Sequence, residues 1–363
     1  AVFVSAEEET DRDNSKGTYV KGEFTVAKPV KEAFVSVTAL GLYNFYLNGK
    51  KVGNDQLTPG WTSYRKHLCF QTYEVTDYLK EGKNAAGAIL AAGWYKGKMG
   101  FDGLAKRRNH YGENTALLAQ MVIRYEDGTE ETVVTDESWN GADAPVVFAE
   151  IYDGEIYDAA KEIKDWAEAD CKDGQWKPVR KLDYDFSVLT GQGSGKVSLM
   201  DEVKPKEIFR TPAGDTVIDF GQNMSALIQV TAAGKKGDVI QLDCFEVLDS
   251  KGNVYLDNLR GAKESLQYTF GEDGTITYRP SFTFMGFRYA KIVSFPGEPS
   301  LDNFTANAIH TNMERTGFLE TSNQDLNQLA HNILWGLKSN FVDVPTDCPQ
   351  RDERLGWTGD AEI

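Results

Sequence analysis

Near the carboxyl end of the 363-residue chain, Asp343 to Ile363 reads D-V-P-T-D-C-P-Q-R-D-E-R-L-G-W-T-G-D-A-E-I. Between Asp347 and Asp360 this segment gathers four carboxylates (Asp347, Asp352, Glu353, Asp360), two arginines (Arg351, Arg354), Trp357 and two glycines. Those residue types together suit the cleavage of a sugar. One carboxylic acid can protonate a glycosidic oxygen, other carboxylates can accept hydrogen bonds from sugar hydroxyls, and a tryptophan face packs on the apolar side of a pyranose. The same composition also describes a surface turn laced with salt bridges, and composition alone does not choose between the two.

The elements that must carry this stretch follow from the text before it. Asn323 or Ser322 can cap a helix whose apolar residues Leu326, Leu329, Ile333, Leu334 and Leu337 recur at helical spacing, ending near Asn340. Pro345 and Pro349 then keep the motif extended at its start. One helix and a loop cannot enclose a core, so most of the helical domain they announce is expected outside these 363 residues.

Everything upstream reads as β-structure. Residues 1–16 carry an acidic polar run and are expected to be a loosely held terminus. From 17 to 150, short strands alternate with turn signals, notably Asn48-Gly49 and Asp127-Gly128, which predicts an antiparallel jelly-roll-like sandwich. Its aromatic, glycine-rich insert from Gly93 to Gly103 is expected to pack against a neighbouring domain more than to bind a ligand. Residues 151–197 read as a connector. A second sandwich is predicted over 198–297, with D-T-V-I-D-F-G-Q-N-M-S-A-L-I-Q-V as two strands around a Gly-Gln-Asn turn. Residues 298–363 open the helical domain. The fold class is therefore mainly β: two sandwiches, then a first helix and a site-bearing loop.

A net charge of −16 argues against nucleic acid and anionic membrane as partners, since both would repel the chain. No apolar run is long enough to span a bilayer. Cys69, Cys171, Cys244 and Cys348 form no C-x-x-C pair and are read as free thiols, mostly buried. His67, His110, His310 and His331 are scattered without metal-binding spacing and are read as structural. The acidic cluster Asp153, Glu155 and Asp158 lacks the spacing of a calcium loop, so no metal or other cofactor is predicted.

The motif D-V-P-T-D-C-P-Q-R-D-E-R-L-G-W-T-G-D-A resembles the hallmark of bacterial α-L-rhamnosidases of glycoside hydrolase family 78. Echoes run from about Thr18 to the end, among them A-L-G-L-Y-N-F-Y-L-N-G-K-K-V-G, I-Y-D-G-E-I-Y-D-A, D-F-G-Q-N-M, N-L-R-G-A-K and F-T-F-M-G-F-R-Y. The resemblance implies sandwich modules followed by an (α/α)6 barrel, here truncated, and inverting hydrolysis of terminal α-L-rhamnosides. Matched position by position, it implies that Glu353 is the general acid. By the same matching, Asp347, Arg351, Asp352, Trp357 and Asp360 hold the sugar or support its site. The family's catalytic base, a downstream glutamate, matches no residue of this chain, so the chain alone is expected to be inactive. It further implies rhamnose-containing glycosides as substrates and a soluble bacterial protein, cytoplasmic or exported with its signal removed. Apolar helix surface left uncovered would leave room for a homo-oligomer.

Physical argument does not by itself choose the acid. A general acid at neutral pH needs its pKa raised, which nearby Asp347 and Asp360 would favour and a directly paired arginine would oppose. Asp352, adjacent to Glu353, remains a rival. A second reading makes the chain a non-catalytic carbohydrate-binding array, with Trp61, Trp94, Tyr95 and Phe101 as an aromatic platform.

Overall fold

The computed structural model describes residues 1–8, 14–100, 108–193 and 195–359. The chain is mainly β and forms two compact units, one of residues 1–97, 108–149 and 161–193, the other of 98–107, 150–160 and 194–363.

The first unit places two sheets face to face. One sheet runs Arg180–Leu182, Phe3–Ser5, Ala116–Tyr125, Val30–Leu40, Leu68–Glu74, Leu189–Gly191, with Glu130–Val134 also paired to Ala116–Tyr125. The other runs Lys177–Pro178, Asn140–Asp143, Thr18–Val26, Gly82–Ala91, Leu42–Leu47, Lys50–Lys51. Period-two patterning explains why they meet: in Val30–Leu40, Ala33, Val35, Val37 and Ala39 are all buried, whereas Phe34 between them is exposed. They pack with Tyr43, Phe45, Leu47, Ala86, Ala88 and Leu90 of the facing sheet. Asn48 (φ 47°) and Gly49 (φ 77°) make the predicted hairpin turn, both in the left-handed region that such a tight turn requires.

Three segments differ from the sequence reading. The expected loose terminus contains the strand Phe3–Ser5, fixed by pairing to Arg180–Leu182 and by burial of Phe3 and Val4. The expected connector 151–197 is divided, its residues 161–193 going to the first unit and Gly154–Asp158 forming a strand parallel to Ser265–Thr269 in the second. In the aromatic insert, Gly93–Lys96 is a short helical turn with Trp94 and Tyr95 buried. Trp94 stacks on Trp61 at 5.8 Å between ring centroids, and Tyr95 meets Tyr64 edge-on at 5.3 Å. Two of the four proposed platform aromatics are thus core, and Phe101 lies outside the described residues.

The second unit is a curled sheet organised on one 19-residue strand, Thr216–Gly234. The sequence predicted two strands around Gly221-Gln222-Asn223. Instead the strand continues through a bulge between Asp219 and Met224, because Asp219 accepts the Gly221 N–H at 2.5 Å and ties the irregularity to Arg288 at 2.7 and 2.9 Å. Beyond the bulge the strand pairs with Met285–Ser294, Phe304–Thr311 and Gly274–Tyr278 in turn, which rolls the sheet around Ile218, Phe220, Met224, Ile228, Leu242, Phe270 and Phe287.

The one long helix among the described residues is Gln324–Asn340, capped by Asn323, one of the two candidates, whose side chain accepts from the Asp325 and Leu326 N–H groups. It docks on the sheet through its last turns. Ser225 donates to the Ser339 carbonyl at 2.7 Å, Lys338 pairs with Asp201 at 2.6 Å, and Trp335 packs against the sheet's core. Leu326, Leu329, Ile333 and Leu337 are exposed on it.

Candidate active site

The motif leaves the helix through the two short strands Phe341–Val342 and Val344–Pro345, turned by Asp343 at φ 71°. Two contacts close it back on itself: Trp357 N–H donates to the Pro345 carbonyl at 2.9 Å, and Thr346 bridges to Gly356. The loop lies on the strand Met285–Ser294 at Gly286. A Cβ there would come within 2.7 to 2.9 Å of the Pro349–Gln350 backbone, so only glycine permits the approach.

Arg354 anchors the loop from beneath. Its side chain is 1% exposed; it donates to the carbonyls of Ile151 at 2.7 Å and Phe284 at 2.8 Å, and pairs with Glu264. Its guanidinium lies over Tyr152 and Phe284. Glu264, fully buried, also accepts the Gly286 N–H at 2.9 and 3.2 Å. Burial pushes the Glu264 carboxyl upward, against the pull of Arg354 and of that N–H. Tyr152 donates its hydroxyl to the Glu353 carbonyl at 2.8 Å, which fixes the backbone at the site's centre.

Above this floor the charged side chains interlock. Arg351 donates to Asp347 at 2.8 Å and to Glu353 at 3.1 Å. Arg260, from the second unit's sheet-connecting loop, reaches Glu353 at 2.6 Å and Asp352 at 3.1 Å. Asp352 is the deeper of the two adjacent carboxylates, 2% exposed against 9% for Glu353. It sits where a Cβ on Gly261 would come 2.7 Å from its Oδ2. Burial on its own would raise the Glu353 pKa, but Arg260 and Arg351 outweigh it and hold the carboxyl below the usual glutamate range, opposite to the raised value expected of a general acid, because two guanidinium groups pair with it directly.

Of the residues singled out in the sequence, Asp347, Arg351, Asp352 and Glu353 therefore form one cluster. Trp357 follows it on the same loop, 49% exposed. Asp360 lies outside the described residues. Asp347, Cys348 and Glu353 bring three ligand-type atoms within 4.8 Å of one another, but Arg351 already occupies the space between the two carboxylates. Burial also pushes the Cys348 thiol up to about 11. Asp153 and Glu155, weighed earlier for calcium, are committed elsewhere: Asp153 pairs with Lys98, while Glu155 accepts Tyr278 at 2.6 Å and two backbone N–H groups near Ser281.

Sequence reasoning missed Arg260, Glu264 and Glu246. Glu246 borders the cluster, accepting Asn223 at 2.8 Å and Asn258 at 3.0 Å; burial raises its carboxyl, with Arg351 opposing. A signal for Arg260 existed in N-L-R-G-A-K, where a glycine follows an arginine in an otherwise unremarkable loop.

Comparison with known proteins accounts for both units and the loop. The α-L-rhamnosidase N-terminal domain matches residues 28–201, the bacterial α-L-rhamnosidase concanavalin-like domain 209–310, and the six-hairpin glycosidase domain of the same proteins 314–363. An α-L-rhamnosidase of Streptomyces avermitilis is 42% identical over 351 residues, covering 96% of this chain and 34% of its own length. The crystal structure of an Aspergillus terreus α-L-rhamnosidase superposes with a TM-score of 0.96 at 37% identity, covering 99% of this chain and 42% of that one. That of the Streptomyces avermitilis α-L-rhamnosidase complexed with L-rhamnose superposes with a TM-score of 0.91, covering 96% and 34%. The chain thus spans about a third of the length of the curated relatives it matches. With all three of that family's domain models matched in order along it, and 99% of its length superposing on one solved member, the chain belongs to the α-L-rhamnosidases of glycoside hydrolase family 78.

Proposed function

We propose that this chain carries the proton-donating half of an inverting α-L-rhamnosidase site, with terminal α-L-rhamnosides as substrates. The observation that supports this reading best is the gathering of Asp347, Arg351, Asp352 and Glu353 into one cluster on the loop that also carries an exposed Trp357. In its protonated form, which the two paired arginines disfavour in the unliganded chain, Glu353 gives its proton to the glycosidic oxygen as the bond from the anomeric carbon to that oxygen breaks. A base on the opposite face takes a proton from the attacking water, at a separation from the acid of roughly 6.5–9.5 Å. Asp347, Arg351, Asp352 and Asp360 hold the sugar hydroxyls or the side chains that do so, and Trp357 walls the ring and its methyl group.

No carboxylate among the described residues is assigned as the base. Near Glu353, Asp347 is engaged by Arg351, Asp352 by Arg260, and Glu246 by two asparagines. A base must instead accept a proton from water: pairing with a guanidinium weakens Asp347 and Asp352 for that, and both Glu246 oxygens are already taken by asparagine amides.

The test is hydrolysis of p-nitrophenyl α-L-rhamnoside by the full protein that contains this chain, with and without Glu353→Gln. Loss of at least about 10²-fold in kcat on substitution is expected. An enzyme that cleaves no rhamnoside, or that keeps its rate without Glu353, overturns the reading.

A further inference from the structure

We propose that Arg260, brought to the site by the second unit's sheet, is a positioning residue that makes Glu353 rather than Asp352 the proton donor, by stabilising the carboxylate left on Glu353 as its proton departs. The inference rests on the rhamnosidase reading and deepens it.

Three observations carry it. The first is bridging geometry: one guanidinium reaches both rivals, its Nε 3.1 Å from Asp352 and its Nη2 2.6 Å from Glu353. Asp352 is sequestered at 2% exposure, with the Arg260 Nε beside its Oδ1. Glu353 lies nearer the surface, held from both sides by Arg260 and Arg351.

The second is backbone strain. Arg260 adopts φ 54°, ψ −108°, a combination strained for a non-glycine residue. The surrounding loop over-determines it: Arg260 N–H donates to Asp257 at 3.2 Å, Ala262 N–H to Leu259 at 3.0 Å, and Glu246 holds Asn258. A strained residue retained beside reacting groups is an indication of function. The third is that the next residue is glycine, and a Cβ there would come within 2.7 Å of Asp352.

The chemistry follows from charge. When Glu353 passes its proton to the leaving oxygen, negative charge develops on its carboxylate, and a guanidinium 2.6 Å away stabilises that charge in the transition state. The groups facing Glu353 are Arg351, Asp347, Cys348 and Asp352 on its own loop. Arg260 and Tyr152 reach it from the second unit's other elements, Glu246 acts through Arg351, and Glu264 sits behind Arg354. Of the arginines paired with Glu353, only Arg260 also touches Asp352 among the described contacts.

The experiment pairs two readouts on Arg260→Gln and Arg260→Lys. In the 363-residue chain labelled with 13C at glutamate carboxyls, the Glu353 resonance, assigned by its loss in Glu353→Gln, is titrated by NMR. In the full protein, the pH dependence of kcat on p-nitrophenyl α-L-rhamnoside is measured. Arg260→Gln is expected to raise the Glu353 midpoint, to move the alkaline limb of the rate profile upward by a matching amount, and to cost about 10²-fold in kcat with KM changed less. Arg260→Lys, which keeps the charge without bridging two carboxylates, is expected to leave the limb near its original place while still losing kcat. An unmoved Glu353 midpoint in an active enzyme overturns the Arg260 assignment alone, as does a limb that follows Asp352→Asn. A wild type that cleaves no rhamnoside overturns the underlying reading, and the donor role with it.

Discussion

At the scale of single residues, the site rests on two arginines that do different work. Arg354 is a foundation, fully enclosed and satisfied by two carbonyls and by Glu264. Removing one member of such a pair leaves a buried charge uncompensated, typically at a cost of about 3–5 kcal/mol, whereas replacing both with apolar residues of similar volume recovers much of it. Arg354→Leu is therefore expected to lower the urea midpoint severely, and Arg354→Leu with Glu264→Leu to restore part of the loss; additive losses in this cycle would mean that the pairing is not what holds the loop. Arg351 instead works at the surface with Arg260 on Glu353. Their effect on stability has a definite sign. A carboxyl whose pKa is depressed by folding contributes stability that is present above its unfolded value, ordinarily 4.5, and lost as pH falls through the folded value. Acid unfolding curves of the wild type should thus steepen below that value relative to Glu353→Gln, in which the contribution is absent at every pH. Parallel curves would show that the two arginines do not stabilise the folded ionised form.

At the scale of elements, one glycine decides whether the loop and the sheet can meet. Gly286 both donates its N–H to Glu264 and lets the Pro349–Gln350 backbone settle on the strand Met285–Ser294. A methyl group there meets main chain rather than a flexible side-chain tip, so relief requires a backbone shift. Gly286→Ala is expected to destabilise by about 1–3 kcal/mol, the usual range for overpacking. Because the shift displaces the loop that carries Glu353, kcat of the full protein should fall with it; a variant as stable and as active as the wild type would show that the approach is looser than these contacts imply. The helix Gln324–Asn340 presents a different balance. Its cap and final turns are fixed on the sheet, while Leu326, Leu329, Ile333 and Leu337 stand exposed, so its stability comes from one end and one face.

At the scale of the whole molecule, a large β-structure supports a small charged loop. The second unit supplies the loop's floor through Phe284, Gly286 and Glu264, and its clamp through Arg260; its sheet is thus a structural partner of the chemistry as well as a neighbour in the chain. If every carboxylate near Glu353 is engaged as described, the 363-residue chain by itself should release no p-nitrophenol from the α-L-rhamnoside under conditions in which the full protein does. Measurable, Glu353-dependent turnover by the chain alone would place a competent base within these residues and revise the proposed division of the site.

The sequence alone determined what is set by local periodicity and by short, specific spacing. The Asn48-Gly49 turn and the Asn323 cap are each dictated by neighbours a few residues away, and each appears where it was expected. The D-C-P-Q-R-D-E-R motif likewise identified the cluster, since its members lie close enough in the chain for one loop to hold them. What the tertiary structure decided are the contacts between distant positions. It fixed Arg260 on Glu353, Arg354 on Glu264, the continuation of Thr216–Gly234 through its bulge, and the burial of Trp94 and Tyr95 in place of an aromatic platform. The acidity of Glu353 belongs to this second class: burial and neighbouring carboxylates would raise it, and whether they prevail depends on where an arginine some ninety residues away in the chain comes to rest. No local pattern encodes that distance, because it is set by how the sheet folds the two segments together.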